Sequence, residues 1–470
     1  MRAKIIATLG PATRPPEILD SLIDAGLAVA RINLAHGGHA QVAEDIKAVR
    51  AASRRRGRPV AVLADLQGPK IRTGPLVAGS LQLASGDELI LTTESTAGTA
   101  KKVSVSYPEL PKDVMPGQSI LVADGLLELE VLKVNNHEVT CRVLAGGTLF
   151  EHQGINLPQA TISTPTITAK DRDDLQFCLD QGVDIIALSF VRDSRDIIEL
   201  KSLINAAGGD CPVVAKIEKH EALGSLDEII DAADGVMIAR GDLGVELPAE
   251  DVPILQKEII AKARRAGKAS IIATQMLDSM IESPRPTRAE ASDVANAVFD
   301  GTDAVMLSGE TAIGKYPVAS VETMARIVER AEGAVDYEAL LQAQSYGAAE
   351  AVSRAVSFAA CQLASVLPAE AIVVSTETGR TAKEVCRYRP RAPIVAVSPD
   401  EKSVRRLMLW WGVTPVLTDF SDNIDDMLHA ALDVTKRAGL AAAGDKVVVV
   451  AGTLVNVPGT TNLIKVETIA

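Results

Sequence analysis

The segment GVMIARGDLGVELPAEDVPILQKEIIAKARRAGKASIIATQM (235–276) decides the fold class. It opens on a short β-rich run, GVMIARGD (235–242), and passes through a polar cluster. It continues as VPILQKEIIAKARRAGK (252–268), whose apolar residues recur at helical spacing, and closes on a second run, SIIATQM (270–276). Unbroken Val, Ile and Ala runs suit strands buried on both faces. Outward from this unit the pattern repeats in KIIATLG (4–10), VARINLAHG (29–37), VAVLADLQG (60–68), DIIALSFV (184–191), VVAKIE (213–218) and DAVMLSGE (303–310). With the two quoted first, that makes eight runs. Helical periods such as PPEILDSLIDAG and AQVAEDIKAVRAASRRRG lie between most of them. Eight strands alternating with helices predict an α/β fold, a (β/α)8 TIM barrel.

Two regions depart from this rhythm. Between 74 and 160 the helical periods vanish and residues alternate, as in SLQLASGDELILTT, VSVSY, SILVADGLLELEVLKV and EVTCRVLAGG, with a hairpin turn at Asn135-Asn136-His137. This predicts a β-rich, β-barrel-like lid inserted after the third strand, at the catalytic mouth. After 334 a long helical stretch (348–367) leads into AIVVST, APIVAVS, VTPVLT, KVVVVAG and LIKVET, most of them separated by helices. That predicts an open α/β domain. The expected boundaries are 1–72 with 161–334 for the barrel, 73–160 for the lid and 335–470 for the C-terminal domain.

Composition agrees with about three domains in 470 residues. Hydrophobic residues make up 47% and charged residues 23%, enough apolar material for large cores. The net charge of −13 repels phosphate backbones, and 3% aromatics leaves little for base stacking, so nucleic acid is not an expected partner. The five scattered cysteines include no CxxC pair and read as reduced thiols. No apolar run approaches the ~18 residues of a membrane span. After Met1-Arg2-Ala3-Lys4 the apolar run is too short for a signal-peptide core. A soluble, cytoplasmic protein is expected.

The strand ends carry the polar residues. The second ends in Arg31, Asn33, Ala35 and His36, and the third in Asp65, followed by Lys70 and Arg72. The fifth carries Lys216 and Glu218, the sixth Arg240 and Asp242, the seventh Thr274 and Gln275, and the eighth Ser308 and Glu310. Such a mouth suits an anionic, phosphorylated substrate and a hard divalent metal. Lys216 and Glu218, two apart on a strand, share a face. They could simply form an interior ion pair. Asp242 at the next strand end favours instead a Mg²⁺ site completed by water and substrate, with Lys216 beside a transferring phosphoryl group. Gly241 and Gly244 let backbone approach a ligand, although a bare GDxG is also an ordinary turn. There is no GxxxxGK[ST], GxGxxG or HExxH motif.

In order along the chain stand KIIATLGPAT, ARINLAHG, ADLQGPKIRTG, INLP, AKIEK, MIARGDLGVE, ATQMLDSM, PRPTRAEASDVANAVFDGTDAVMLSGETAIGKYPV and VPGTTNLIKV. Taken together, these segments resemble the pyruvate kinase family over essentially the whole chain. The resemblance implies Mg²⁺-dependent (or Mn²⁺-dependent) phosphoryl transfer from phosphoenolpyruvate to ADP, giving pyruvate and ATP, the last step of glycolysis. It also implies allosteric control and a homotetramer. By the same resemblance Lys216 is the catalytic lysine, Glu218 and Asp242 are metal ligands, and Arg72 meets the substrate phosphate. Gly241, Asp242 and Thr274 hold the substrate carboxylate. Arg31, Asn33 and His36 form the nucleotide side, and Asp124 of the lid closes over the metal-nucleotide. Ser308 and Thr274, or a water chain, protonate the enolate.

Three departures from the family pattern stand out. Ala35 and Lys70 replace the Ser and Glu of potassium-requiring members, so the chain resembles the potassium-independent branch, and K⁺ is not expected to be required. Gln153 stands where members often have a lysine reaching the nucleotide phosphates, so weaker or differently wired ADP binding is expected. Thr164 and Thr166 replace Leu and Ala, read as hinge or packing changes. In the C-terminal domain, Thr376, Thr378, Gly379, Arg380 and Thr381 fall in a loop that binds phosphorylated effectors in the family; a plain strand-to-helix turn is the bland alternative. Fructose bisphosphate, another sugar phosphate and AMP all stay open as effectors. The rivals are an aldolase- or lyase-type barrel, which would lack the β-rich insert, and a degenerate effector-sensing barrel, which the intact Lys216, Glu218, Asp242, Arg72 and Thr274 oppose.

Overall fold

The computed structural model describes residues 1–343, 351–419, 423–453 and 461–469. The eight apolar runs form strands β1 (Lys4–Thr8), β2 (Leu27–Asn33), β3 (Ala61–Leu66), β4 (Ile185–Leu188), β5 (Val213–Ile217), β6 (Gly235–Ala239), β7 (Ala269–Ala273) and β8 (Ala304–Leu307). They close into a barrel in chain order, with every pairing parallel. Every barrel-strand residue is buried except Asn33, at the end of β2. Burial on both faces is why these runs lack alternation. The helix Val252–Ala266 shows how the units are punctuated. Proline starts it, Arg264 and Arg265 face its carboxyl end, and Gly267 stops it at φ 71°.

The insert forms a six-stranded sheet and a two-stranded one. Both surround one apolar cluster that includes Leu89, Leu91, Ile120, Leu129 and Val143, and that also takes Ile71 and Ile162 from the linkers. Two local features differ from the sequence reading. A short helix, Leu110–Asp113, interrupts the strands. The run 119–134 is broken in two at 123–126, where Ala123, Asp124 and Gly125 all have positive φ. The break turns Asp124 out of the sheet as an exposed residue.

The C-terminal region has five strands: β9 (Ala371–Ser375), β10 (Ile394–Ser398), β11 (Val413–Leu417), β12 (Lys446–Gly452) and β13 (Thr461–Thr468). Their order is β11-β10-β9-β12-β13, with only β13 antiparallel. The helix expected over 348–367 is seen as Val352–Val366; residues 348–350 lie outside the described residues, as do 457–460 of the last motif. One face of this sheet joins the barrel's apolar cluster, and the other has its own. All five cysteines are free.

This region docks on the amino ends of the barrel strands. Asp303, just before β8, pairs with Arg389 at 2.9 Å and accepts hydrogen bonds from the Ser270 N–H at 2.9 Å and the Trp411 N–H at 3.3 Å. Asp184, just before β4, pairs with Arg405 and Arg50, each at 2.8 Å. Lys4 of β1 donates to the Val413 carbonyl at 2.7 Å. Arg389 and Asp303 are both buried, so removing one charge strands the other in low dielectric. Asp303→Asn should cost about 3–5 kcal/mol, read as a lower urea midpoint. The double variant Asp303→Asn, Arg389→Met should recover much of that loss.

Candidate active site

Lys216, on β5, is the centre of the site. Its Nζ donates to Ser189 Oγ at 2.7 Å and pairs with Glu218 at 2.8 Å and Asp65 at 3.3 Å. The interior ion pair is therefore present, but it is one edge of a larger network. Arg31 reaches Asp65 through Nη2 at 2.7 Å and Thr8 Oγ1 through Nη1 at 2.9 Å. Ser189 Oγ also lies 3.3 Å from Asp65 Oδ1. Strands β1 to β5 thus all contribute at or next to their carboxyl ends.

Burial alone would lower the Lys216 ammonium, but Asp65 and Glu218 outweigh it and hold the group above the ordinary lysine value. Burial would raise Asp65, but Lys216 and Arg31 bring it below the usual carboxylate range. Glu218 moves the other way: burial raises it, Lys216 only partly offsets that, and the negative charge of Asp242 adds to the rise. A buried carboxylate raised by the charge of a neighbouring one marks a place where a cation would be stabilised.

A cleft of about 1060 Å³ opens at this mouth, lined among others by Lys70, Asp124, Gly241, Asp242, Thr274 and Ser308. These six candidates come from the first lid linker, the lid, and the ends of β6, β7 and β8. Thr274 sits at φ 69° and Gln275 at φ 54°, a sparsely populated conformation for such residues. The Gly241 N–H donates to Thr274 Oγ1 at 2.7 Å, and that hydroxyl in turn donates to the Ala273 carbonyl at 2.6 Å. Arg240 binds across the same gap, to Asp293 at 2.7 Å and to the Thr274 carbonyl at 3.0 Å. Loops six and seven are thereby fastened together. Buried Glu310 accepts from the Leu277 and Ser308 N–H groups at 3.0 and 2.7 Å and braces the end of β8.

The remaining candidates sit around this core. Asn33 Oδ1 accepts from the Ala35 N–H at 3.1 Å and shapes the turn that presents His36. Arg72 faces the lid: its Nη1 donates to the His152 carbonyl at 2.9 Å, and its N–H to Ser106 Oγ at 2.9 Å. Gln153 Oε1 accepts from the Phe150 N–H at 3.1 Å, a local turn contact. Far from the mouth, in the C-terminal loop, Thr376, Gly379 and Thr381 are buried, and Thr378 and Arg380 are exposed. Thr381 Oγ1 lies 2.7 Å from Thr461 Oγ1. Gly379 has φ 80° and opens the helix Arg380–Cys386.

Glu218 and Asp242 are carboxylates that could together hold a hard divalent ion. Among the described residues the Asp242 carboxylate makes no hydrogen bond or ion pair, and no group of three or more His, Cys, Asp or Glu is placed to hold a metal. Mg²⁺ commonly takes only one or two protein carboxylates, with substrate and water oxygens as the rest, so the pair fits.

Several contributors were missed in the sequence. Asp65 stands at a strand end with nothing in its motif to give it a role, and Ser189, just past the end of β4, lies inside an apolar run that hides it. Lys219 and Glu246, paired at 2.6 Å and buried, tie the strand end bearing Glu218 to the short helix bearing Asp242. Asn156 of the lid lies 3.4 Å from the same Glu246.

His36 is depressed below the ordinary histidine value by partial burial and by Arg72, Lys70 and Arg31. An NMR titration should place its midpoint below that of a free histidine, and Lys70→Met should move the midpoint up.

Comparison with known proteins follows the same lines. The family model described as "Pyruvate kinase, barrel domain" matches residues 1–321, and "Pyruvate kinase, alpha/beta domain" matches residues 354–467. Pyruvate kinase 2 of a Synechocystis strain is 49% identical over 472 residues, covering 100% of this chain and 79% of its own length. Pyruvate kinase of Geobacillus stearothermophilus is 46% identical, covering 100% of this chain and 80% of its own. That of Clostridium acetobutylicum is 43% identical, covering 100% and 99%.

Proposed function

Because this chain belongs to the pyruvate kinase family and is a phosphotransferase, we propose that its mouth transfers the phosphoryl group of phosphoenolpyruvate to ADP. The bond from phosphorus to the enol oxygen breaks, and a new bond forms to a terminal oxygen of ADP. The enolate left behind takes a proton to become pyruvate. One observation carries this reading: a buried lysine is kept charged by Asp65 and Glu218, and Glu218 in turn feels the charge of Asp242, which lines a cleft together with Thr274 and Lys70.

Lys216 places its charge where negative charge builds on the phosphoryl oxygens in the transition state. Glu218 and Asp242 would hold Mg²⁺ or Mn²⁺, which supplies neutralisation of the phosphate oxygens. Arg72 takes the substrate phosphate on leaving the His152 carbonyl. Thr274, with the amides of Gly241 and Asp242, takes the substrate carboxylate, so the Gly241–Thr274 hydrogen bond is exchanged for contacts to substrate. Arg31, Asn33 and His36 face the nucleotide, and Asp124 closes from the lid. Thr274, Ser308 or a water chain delivers the proton.

The Lys70 ammonium stands in for a monovalent cation. The barrel, lid and C-terminal domains keep the boundaries 1–72 with 161–334, 73–160 and 335–470. The last of them binds a phosphorylated effector at Thr376, Thr378, Gly379, Arg380 and Thr381, in a cytoplasmic homotetramer. Among the described residues no helix is long and apolar enough to cross a membrane.

Formation of pyruvate from phosphoenolpyruvate and ADP with Mg²⁺, with and without K⁺ at matched ionic strength, tests the reading. Turnover without K⁺ is expected, and Lys70→Glu should make it depend on K⁺. Large activation of the wild-type chain by K⁺ would discard the role of Lys70. Lys216→Met should lower kcat by about 10²–10³ or more; an unchanged kcat would overturn the assignment of Lys216.

A further inference from the structure

The loop of residues 189–192, between β4 and the helix Ser194–Ala206, faces two ways. Inward, Ser189 accepts from Lys216 at 2.7 Å, and the Phe190 N–H donates to Glu218 Oε2 at 2.9 Å. Phe190 holds φ 57° to aim that N–H, a costly conformation for a bulky side chain. Outward, the same loop touches both linkers of the lid through Ser189, Phe190 and Arg192. On the first, Gly68 at φ 68° is so close that an added Cβ would lie 2.8 Å from Phe190 Cδ2. On the second, Arg192 donates to Thr166 Oγ1 at 2.9 Å, to the Thr164 carbonyl at 3.1 Å and to the Ile162 carbonyl. Ile162 also belongs to the lid's apolar cluster. The two linkers are further joined where Asp171, in the capping box of the helix Ala169–Asp180, accepts from the Gly68 N–H at 3.1 Å.

We propose that this loop couples the lid to the phosphoryl-transfer groups, and that Arg192 is the positioning residue that holds the return linker. This coupling presupposes the phosphoryl-transfer function proposed above. Arg192 touches no substrate. Its planar fork reaches three acceptors spread over five residues of linker from separate nitrogens, a wider span than a single ammonium nitrogen covers. Two residues away along a short, strained backbone, Phe190 fixes the orientation of Glu218. The lid therefore cannot shift at its return linker without pulling on the segment that orients Lys216 and Glu218.

The test is steady-state kinetics on the full-length chain, combined with thermal unfolding and limited proteolysis at the linkers. Arg192→Ala should lower kcat by about tenfold or more and raise KM for ADP more than KM for phosphoenolpyruvate. It should also speed cleavage within 160–168, with the thermal midpoint nearly unchanged. Arg192→Lys should recover part of the loss. Thr166→Val, which keeps the shape and removes one acceptor, should give a smaller effect of the same sign. The double variant Arg192→Ala, Thr166→Val should be no worse than Arg192→Ala alone, because both act through one contact. Unchanged kcat in both single variants, or fully additive losses, would overturn the coupling. A wild-type chain unable to turn over phosphoenolpyruvate and ADP would overturn the functional reading instead.

Discussion

A lysine ammonium buried at the mouth of an apolar barrel is the constraint to which the site answers. Left alone, Lys216 would lose its proton to escape the cost of desolvation. Asp65 on one side and Glu218 on the other reverse that outcome, and Arg31 prevents Asp65 from becoming a surplus charge. Each partner in turn needs its own support. Arg31 takes the Thr8 hydroxyl, Glu218 takes the Phe190 N–H, and Ser189 fills the remaining donor direction of the ammonium. The network draws in residues from five consecutive strands, which is possible only because parallel strands in a closed barrel deliver their carboxyl ends to one rim.

The unbalanced member is Asp242, half-buried on the cleft wall without a protein cation of its own. Its surplus negative charge raises Glu218. The protein groups alone therefore leave a surplus negative charge there, which a small hard cation would balance. The buried Lys219–Glu246 pair ties the strand end that carries Glu218 to the short helix that carries Asp242.

Much of this was legible in the sequence, for definite physical reasons. Doubly buried strands must be apolar throughout, so SIIATQM and GVMIARGD announce themselves, and the residues that end such runs lie at the rim. Hence Lys216, Glu218, Asp242, Thr274 and Ser308 could be placed from the chain alone. The break at Asp124 was not legible, because a single Ala-Asp-Gly inside an alternating run does not reveal two successive non-glycine residues at positive φ. Nor was the direction of Arg72, which depends on the carbonyl of His152, eighty positions away. Arg192 belongs to the same class: its partners lie about thirty residues earlier in the chain, and nothing local to it distinguishes it from a surface arginine.

The attachment of the C-terminal region to the amino ends of β1, β4 and β8 has a mechanical consequence. Lys4 grips that region and Thr8, at the other end of the same strand, grips Arg31; Asp303 grips it and Ser308, just past the end of β8, borders the cleft. From Asp303 to Ser308 is five residues, roughly 17 Å of extended chain, with no loop between. Each of these strands is bonded on both sides, and a slip by one residue would turn its side chains to the opposite face. Sliding is therefore closed to them, and what one end of the barrel can transmit to the other is torque.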